Sequence, residues 1–384
     1  MNGLLERIPL NVRFLWFGLL AALLVFFPYM HTWPFFDGYI TEYRTFNATM
    51  FGVWLLVVLG MNLLTGYSGQ ISLGHAAVVL VGAYTTGVLF DQYHVPLALA
   101  VLIAAGFTGL VGGIVIGIPA VRLSGPYLAI ATFAMVISLP QILKMKALAD
   151  WTHGALGVRV RELQPPGAFD FVDNTKWLYY TTLFSAVIMT VLFWNLTRSR
   201  MGRAMAALRD SEIAAEQMGV NVPLYKALAF GISALYGGVA GGLFFQAQAF
   251  VGPESLGFFE SILFLVAIVI GGLGTILGSV IGALFLTFQA EIIGKLPDWA
   301  RAVTPGPIEG WIPDLERLRG VIYGGLLIGT ILLFPRGLAY FFHGLVEGRL
   351  PSLRMPAVEA LRANLTGRLR VGDPRDGGRP HDKT

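Results

Sequence analysis

GMNLLTGYSGQISLGHA, residues 60–76, decides the fold. An apolar segment, 46–63, runs into it, and another, 76–90, leaves it. Between them stand Asn62, Thr65, Ser68, Gln70, Ser72 and His75, with Gly66, Gly69 and Gly74 interspersed. Irregular backbone carrying that many polar groups cannot lie against lipid; it is buried in protein or it lines a wet cavity. Two readings of Asn62, Gly66, Ser68, Gly69, Gln70, Ser72, Gly74 and His75 therefore stand together. They form part of a translocation path, or they hold a broken helix together by hydrogen bonds.

The rest of the chain agrees with a membrane setting. Of 384 residues, 55% are apolar and 13% charged. A soluble domain carries about 25% charged residues, so there is too little polar surface here to cover a water-soluble globule. Glycine, at 47 residues, is well above its usual ~7%, which suits close helix packing in lipid. Cysteine is absent, which excludes disulfides, thiolate catalysis and Cys-based metal sites.

Ten apolar segments are long enough, or nearly so, to span as helices. They lie near 14–29, 46–63, 76–90, 96–118, 126–143, 177–197, 226–250, 258–273, 275–291 and 320–334. The first follows a short basic head (Arg7, Arg13) and lacks a small-residue cleavage site, so it reads as a retained span. The expected fold is an all-α polytopic membrane bundle. Ten spans put both termini on one side. With the N-terminus inside, 17 of the 27 Lys and Arg fall on inner segments, nine of them after Pro335. The bias predicts both termini in the cytoplasm. Residues 1–344 then form the transmembrane domain, with outer loops 144–176 and 292–319, and 345–384 form a basic cytoplasmic tail.

Small residues recur every fourth position, as in Gly109–Gly113–Gly117, Gly237–Gly241, Gly238–Gly242 and Gly274–Gly278–Gly282. Packing within the bundle is the plainer reading of these stripes. The stretch 66–74 also echoes 271–278 with one gap, a weak sign of an internal repeat. No phosphate-binding loop, H-E-x-x-H or G-x-S-x-G motif is present, and the six His show no metal-ligand spacing. Glu254, Glu260 and Glu291 fall near span ends, and mid-span charge of the kind that couples ions is nearly missing.

The segment 198–226 is the other informative stretch. Asp210 or Ser211 can cap a short helix starting near Glu212, and Gly219 is placed to end it. Ala214, Ala215 and Met218 are expected on one apolar side. Gly202, Arg203 and Arg209 precede them. A capped amphipathic helix between two spans suits docking of another protein; an ordinary basic loop is the plainer alternative.

Four stretches together resemble the permease subunits of branched-chain amino-acid ABC importers, the LivM/LivH family and its LivM type in particular. They are 60–84, 119–132, 198–219 and 261–278. The resemblance covers about 45–340. It implies a permease without catalytic site or cofactor of its own, in the bacterial inner membrane. Its implied partners are a second permease, two ATPase subunits that bind the ATP, a periplasmic solute-binding protein and membrane lipid, with no nucleic acid. Gly202, Arg203, Arg209, Asp210, Glu212, Ala214, Ala215 and Gly219 would then belong to the ATPase-coupling loop. The family carries a Gly-rich, Asn-containing stretch in the loop after the fifth span. Here His153 and Leu156 depart from that pattern, so the solute is not named by it. The rival from another class is an autonomous secondary carrier or channel using Asn62 through His75.

Overall fold

The computed structural model describes residues 24–32, 42–123, 125–160, 173–303, 324–325 and 338–340. Helix α1 is Glu42–Met61, and it widens without interruption into a π-helical turn, Asn62–Tyr67. Helix α2 is His75–Asp91. Helix α3 is Leu97–Val111, continued through a second π-helical turn, Gly112–Gly117, into Ile118–Arg122. Helix α4 is Pro126–Leu143 and α5 is Asn174–Arg198. Two short helices follow, α6 Arg200–Asp210 and α7 Glu212–Gln217. Helix α8 is Val222–Gln248, α9 is Phe258–Gly271 and α10 is Ile276–Val303.

Eight of the ten expected spans thus coincide with helices. The chain is an all-α polytopic membrane bundle. The first expected span (except its end from residue 24), the tenth (except 324–325), the tail, and residues 161–172 and 304–319 of the two long loops lie outside the described residues. Helix α9 has 14 residues, about 21 Å of helix, against a hydrocarbon core of about 30 Å. It can be short because it ends in a turn that is itself held inside protein, as shown below.

Glycine sets the arrangement. Helix α8 lies at the centre, against α1, α2 and α3. On α2, a side chain at Gly82 would meet the Gly238 backbone at 2.7 Å. On α3, Gly109 and Gly113 face Gly231, and Gly117 faces Ala227. The contact pairs run in the same sense for α2 and in opposite senses for α3, so α8 is parallel to the first and antiparallel to the second. Without Cβ atoms the backbones approach closely enough to gain dispersion contact that lipid chains cannot match. Gly271 likewise faces Gly278, and a Cβ at Gly282 would stand 2.5 Å from the Ala267 carbonyl oxygen, so α9 and α10 zip together antiparallel. The stripes are packing surfaces. Bulky side chains fill the spaces left between, with Leu56, Leu59, Leu80, Phe193, Phe245 and Phe264 fully buried.

One small sheet joins distant loops: Val158–Arg159 pairs antiparallel with Phe250–Val251. It fastens the segment after α4 to the residues just beyond α8.

Candidate functional site at the helix breaks and short helices

Two breaks interrupt the bundle, one between α1 and α2 and one between α9 and α10. Residue Asn62 joins them. Its side chain is fully buried, and its Oδ1 accepts from the Gly274 N–H at 2.8 Å. Its Nδ2 donates to the Thr275 carbonyl and to Ser279 Oγ, each at 2.8 Å. The 66–74 stretch and its echo at 271–278 are therefore neighbours in space as well as look-alikes in sequence. Gly66 sits directly against Gly274, where a Cβ would meet the Gly274 nitrogen at 2.5 Å.

The first break is held by side chains from several helices. Ser68 Oγ donates to the Leu64 carbonyl and accepts from Gln70 Nε2. Thr65 Oγ1 donates to the Gln70 carbonyl. The Leu73 N–H donates to Thr132 Oγ1 of α4, and the Ala76 N–H to Ser261 Oγ of α9. Ser72 Oγ accepts from the Gly74 N–H. Gly74 fits against the Thr132 carbonyl. These are orphan amides of the kind lipid cannot satisfy, and protein side chains satisfy them. Of the two roles left open by the sequence, the geometry supplies the structural one for Asn62, Ser68 and Ser72. The buried Gln70 Oε1 and His75 Nε2 carry no hydrogen bond. His75 itself packs away from the junction, edge-on to Phe264 and beside Gly60.

The short helices form as their sequence dictates. Ser199 Oγ accepts from the Met201 and Gly202 amides to start α6. Ser211 Oγ accepts from the Ala214 amide to start α7. Gly202, in the first turn of α6, stands where a Cβ would meet the Leu196 carbonyl oxygen at 2.6 Å and crowd that of Thr197. Gly219 has φ +81° and closes α7 in the left-handed conformation expected of a terminating glycine.

One expectation is corrected. Ala214, Ala215 and Met218 do not share a face. Ala215 is turned inward, 4% exposed, whereas Ala214 is exposed and Ile213 and Met218 stand 75% and 85% exposed. Residues 214 and 218 are four apart and overlie each other, while 215 lies about 100° further round. The basic residues are also committed within the chain. Arg203 Nη1 donates to the Arg198 carbonyl. Arg209 holds Asp210 through Nε and Nη2, at 3.1 and 3.0 Å, and its Nη1 donates to the Gly66 carbonyl at 2.9 Å.

Lys226 was not singled out by its sequence, where it reads as one more charge in a basic loop. Its side chain is only 5% exposed and pairs with Glu212 Oε2 at 2.7 Å, linking the start of α7 to the first turns of α8. Ser261, Thr132 and Ser279 were missed as well. The available signal was a hydroxyl in an otherwise apolar span, which is weak because serine and threonine also bond their own helix.

Such a bundle, with spans broken inside protein and a capped helix pair bonded to the breaks, defines a class: polytopic membrane proteins with discontinuous spans. The comparisons with known proteins narrow it. The family described as "Branched-chain amino acid transport system / permease component" matches residues 44–331, and the chain belongs to that family. The high-affinity branched-chain amino acid transport system permease protein LivM of Salmonella typhimurium is 30% identical over 338 residues, 80% of this chain and 71% of the relative. LivH of Escherichia coli K12 is 28% identical over 268 residues, 63% of this chain and 82% of the relative. LsrC, an autoinducer 2 import system permease protein of Escherichia coli O9:H4, is 24% identical over 275 residues, 69% and 77% respectively. No solved structure matches the chain. The resemblance expected from the four stretches is the family the chain belongs to, and the protein is a transport permease component of a bacterial inner membrane.

Proposed function

We propose that the chain is the LivM-type subunit of an ABC importer. With a second permease it forms a path for branched-chain amino acids or related small polar solutes. A periplasmic binding protein delivers the solute, and separate ATPase subunits bind ATP and supply the energy. The segment 66–75 lies beside the path. Both termini face the cytoplasm, and so does the α6–α7 pair.

The observation that carries this reading is the exposed face of α7. A helix of six residues has no stability of its own in water; here caps and the Glu212–Lys226 pair hold it, yet Ile213 and Met218 project outward. Apolar side chains on a rigid, polar-framed knob fit a groove on a partner protein. The relatives' names support the transport role: LivM and LivH are both called branched-chain amino acid transport permeases, whereas LsrC is called an autoinducer 2 permease, which leaves the solute class wider than Leu, Ile and Val.

The test is co-purification. Ala214→Trp and Met218→Asp should leave the permease level in membranes unchanged and remove the ATPase subunits from the purified complex, with loss of leucine uptake. Retention of ATPase in both variants would sink the docking assignment. Orientation is checked with impermeant thiol reagents on whole cells, since the chain has no native cysteine. Cysteine at Tyr93 should label and cysteine at Met218 should not.

A further inference from the structure

We propose that Arg209 is a positioning residue through which the short-helix pair sets the conformation of the junction between the two helix breaks. The inference rests on the importer reading above and adds the point inside the membrane domain where movement of α6 and α7 is delivered.

The geometry is specific to a guanidinium. Arg209 is the next-to-last residue of α6. Its Nε and Nη2 edge is occupied by the Asp210 carboxylate, and the opposite corner, Nη1, donates to the Gly66 carbonyl. A planar fork can serve both at once; an ammonium at the end of a flexible stem cannot hold two fixed directions in the same way. Gly66 lies near the end of α1 and its wide turn, where unsatisfied carbonyls carry partial negative charge, so a cation there is favourably placed.

The junction has been cleared for this side chain. Gly69, at φ +74°, lies so close to Arg209 that a Cβ would stand 3.0 Å from its Cγ and 3.1 Å from its Cα. Gly274, at φ +73°, belongs to the other break, and a Cβ there would stand 3.3 Å from Nη1 and 3.4 Å from the Gly66 oxygen. Arg209 therefore touches both breaks, at two glycines in the left-handed region. Neither can take a side chain without strain. Asn62 clamps the same two breaks from within the bundle. A shift of α6 pulls on the Gly66 carbonyl, and through the Asn62 clamp on the turn between α9 and α10. The second anchor, Glu212–Lys226, ties α7 to α8 and does not reach the junction.

The experiment uses the whole importer with Ile71→Cys as a reporter. Ile71 is half exposed in the first break, and the chain offers no other thiol. Arg209→Ala should keep the ATPase subunits at the wild-type ratio. Uptake should fall at least tenfold, and the labelling rate at Ile71→Cys, which changes between nucleotide-free and vanadate-trapped wild type, should no longer respond. Arg209→Lys should restore part of both. If Arg209→Ala does not accumulate, Asp210→Asn takes its place; it removes only the brace on the guanidinium and should lower uptake several-fold with normal docking. Unchanged uptake and labelling response in these variants would overturn the proposal. So would loss of ATPase in step with uptake, which would make Arg209 a docking residue. Failure of the unmodified chain to retain ATPase subunits is a different result, and counts against the importer reading itself.

Discussion

Helices α8 and α4 are both apolar enough to cross a membrane, yet 78% of the most apolar window of α8 is buried inside the protein and 22% of that of α4. Their hydropathies are close, so apolar character does not decide between centre and rim. Glycine does. Helix α8 carries Gly231, Gly237, Gly238, Gly241 and Gly242, and α4 carries none. The residues of α4 that reach inward are few: Leu128, Thr132, Val136 and Leu143 are buried, Thr132 caps the Leu73 amide, and the half-buried Phe133 meets Phe258 edge-on. In lipid, where Leu gains nothing by leaving the solvent, position in the bundle follows from how close a backbone can come to its neighbour.

That comparison can be broken most directly by adding bulk. Gly241 lies against the Val79 carbonyl, with the Ala83 nitrogen 2.7 Å from where a Cβ would stand. Gly241→Leu has nowhere to relax, and overpacking against backbone costs about 3 kcal/mol or more. Folded protein recovered in mild detergent should drop to a small fraction, read by monodispersity of a fluorescent fusion. Ala131→Leu on the exposed side of α4 should leave recovery unchanged. Equal losses for the two would show that glycine content is not what separates the helices.

A smaller effect is expected at the foot of α8. Glu212→Ala leaves Lys226 buried without its partner. Because Glu212 is itself half exposed, the cost should be about 1–2 kcal/mol, short of the full penalty for breaking a buried pair. Thermal unfolding in detergent should show a drop of a few degrees. Glu212→Ala combined with Lys226→Met should recover most of it; no recovery would mean the pair contributes through geometry alone.

The smallest effect belongs to the end of α4, where Lys144 meets Glu254 at 2.5 Å. The Lys144 hydrogen bond, and then its charge, hold the Glu254 carboxyl below its ordinary value of 4.5. A depressed carboxylate adds stability above that ordinary value and loses it as pH falls through the depressed one. Wild type should therefore exceed Glu254→Gln slightly at neutral pH. The difference should shrink on acidification below about pH 4.5 and vanish in about 1 M salt. A difference that grows in acid would reverse the assignment.

The sequence announced whatever was local. Eight spans, the Ser211 cap, the left-handed Gly219 and the packing stripes are each set by a few consecutive residues. What it concealed was long-range. Asn62 finds its partners 212 to 217 residues away, and Arg209 finds Gly66 143 residues away. Nothing near either residue indicates such a partner. Charge in a connecting segment reads as solvated, so Lys226 passed as a surface group and Arg209 as part of a partner-facing loop. Ala215 was placed with Ala214 because a helix of six residues is too short for periodicity to separate its faces.

The two π-helical turns, 62–67 and 112–117, carry a consequence for chain length. Each holds one residue more than an α-helix needs to cover the same rise. Elsewhere in a packed span, inserting or deleting one residue turns everything beyond it by about 100° and carries its contacts off their partners. At these two places a single deletion would instead relax the wide turn to a regular one, with Gly109 and Ile118 still on the sides they now present. Related chains that differ from this one by a single residue inside a membrane helix should differ there.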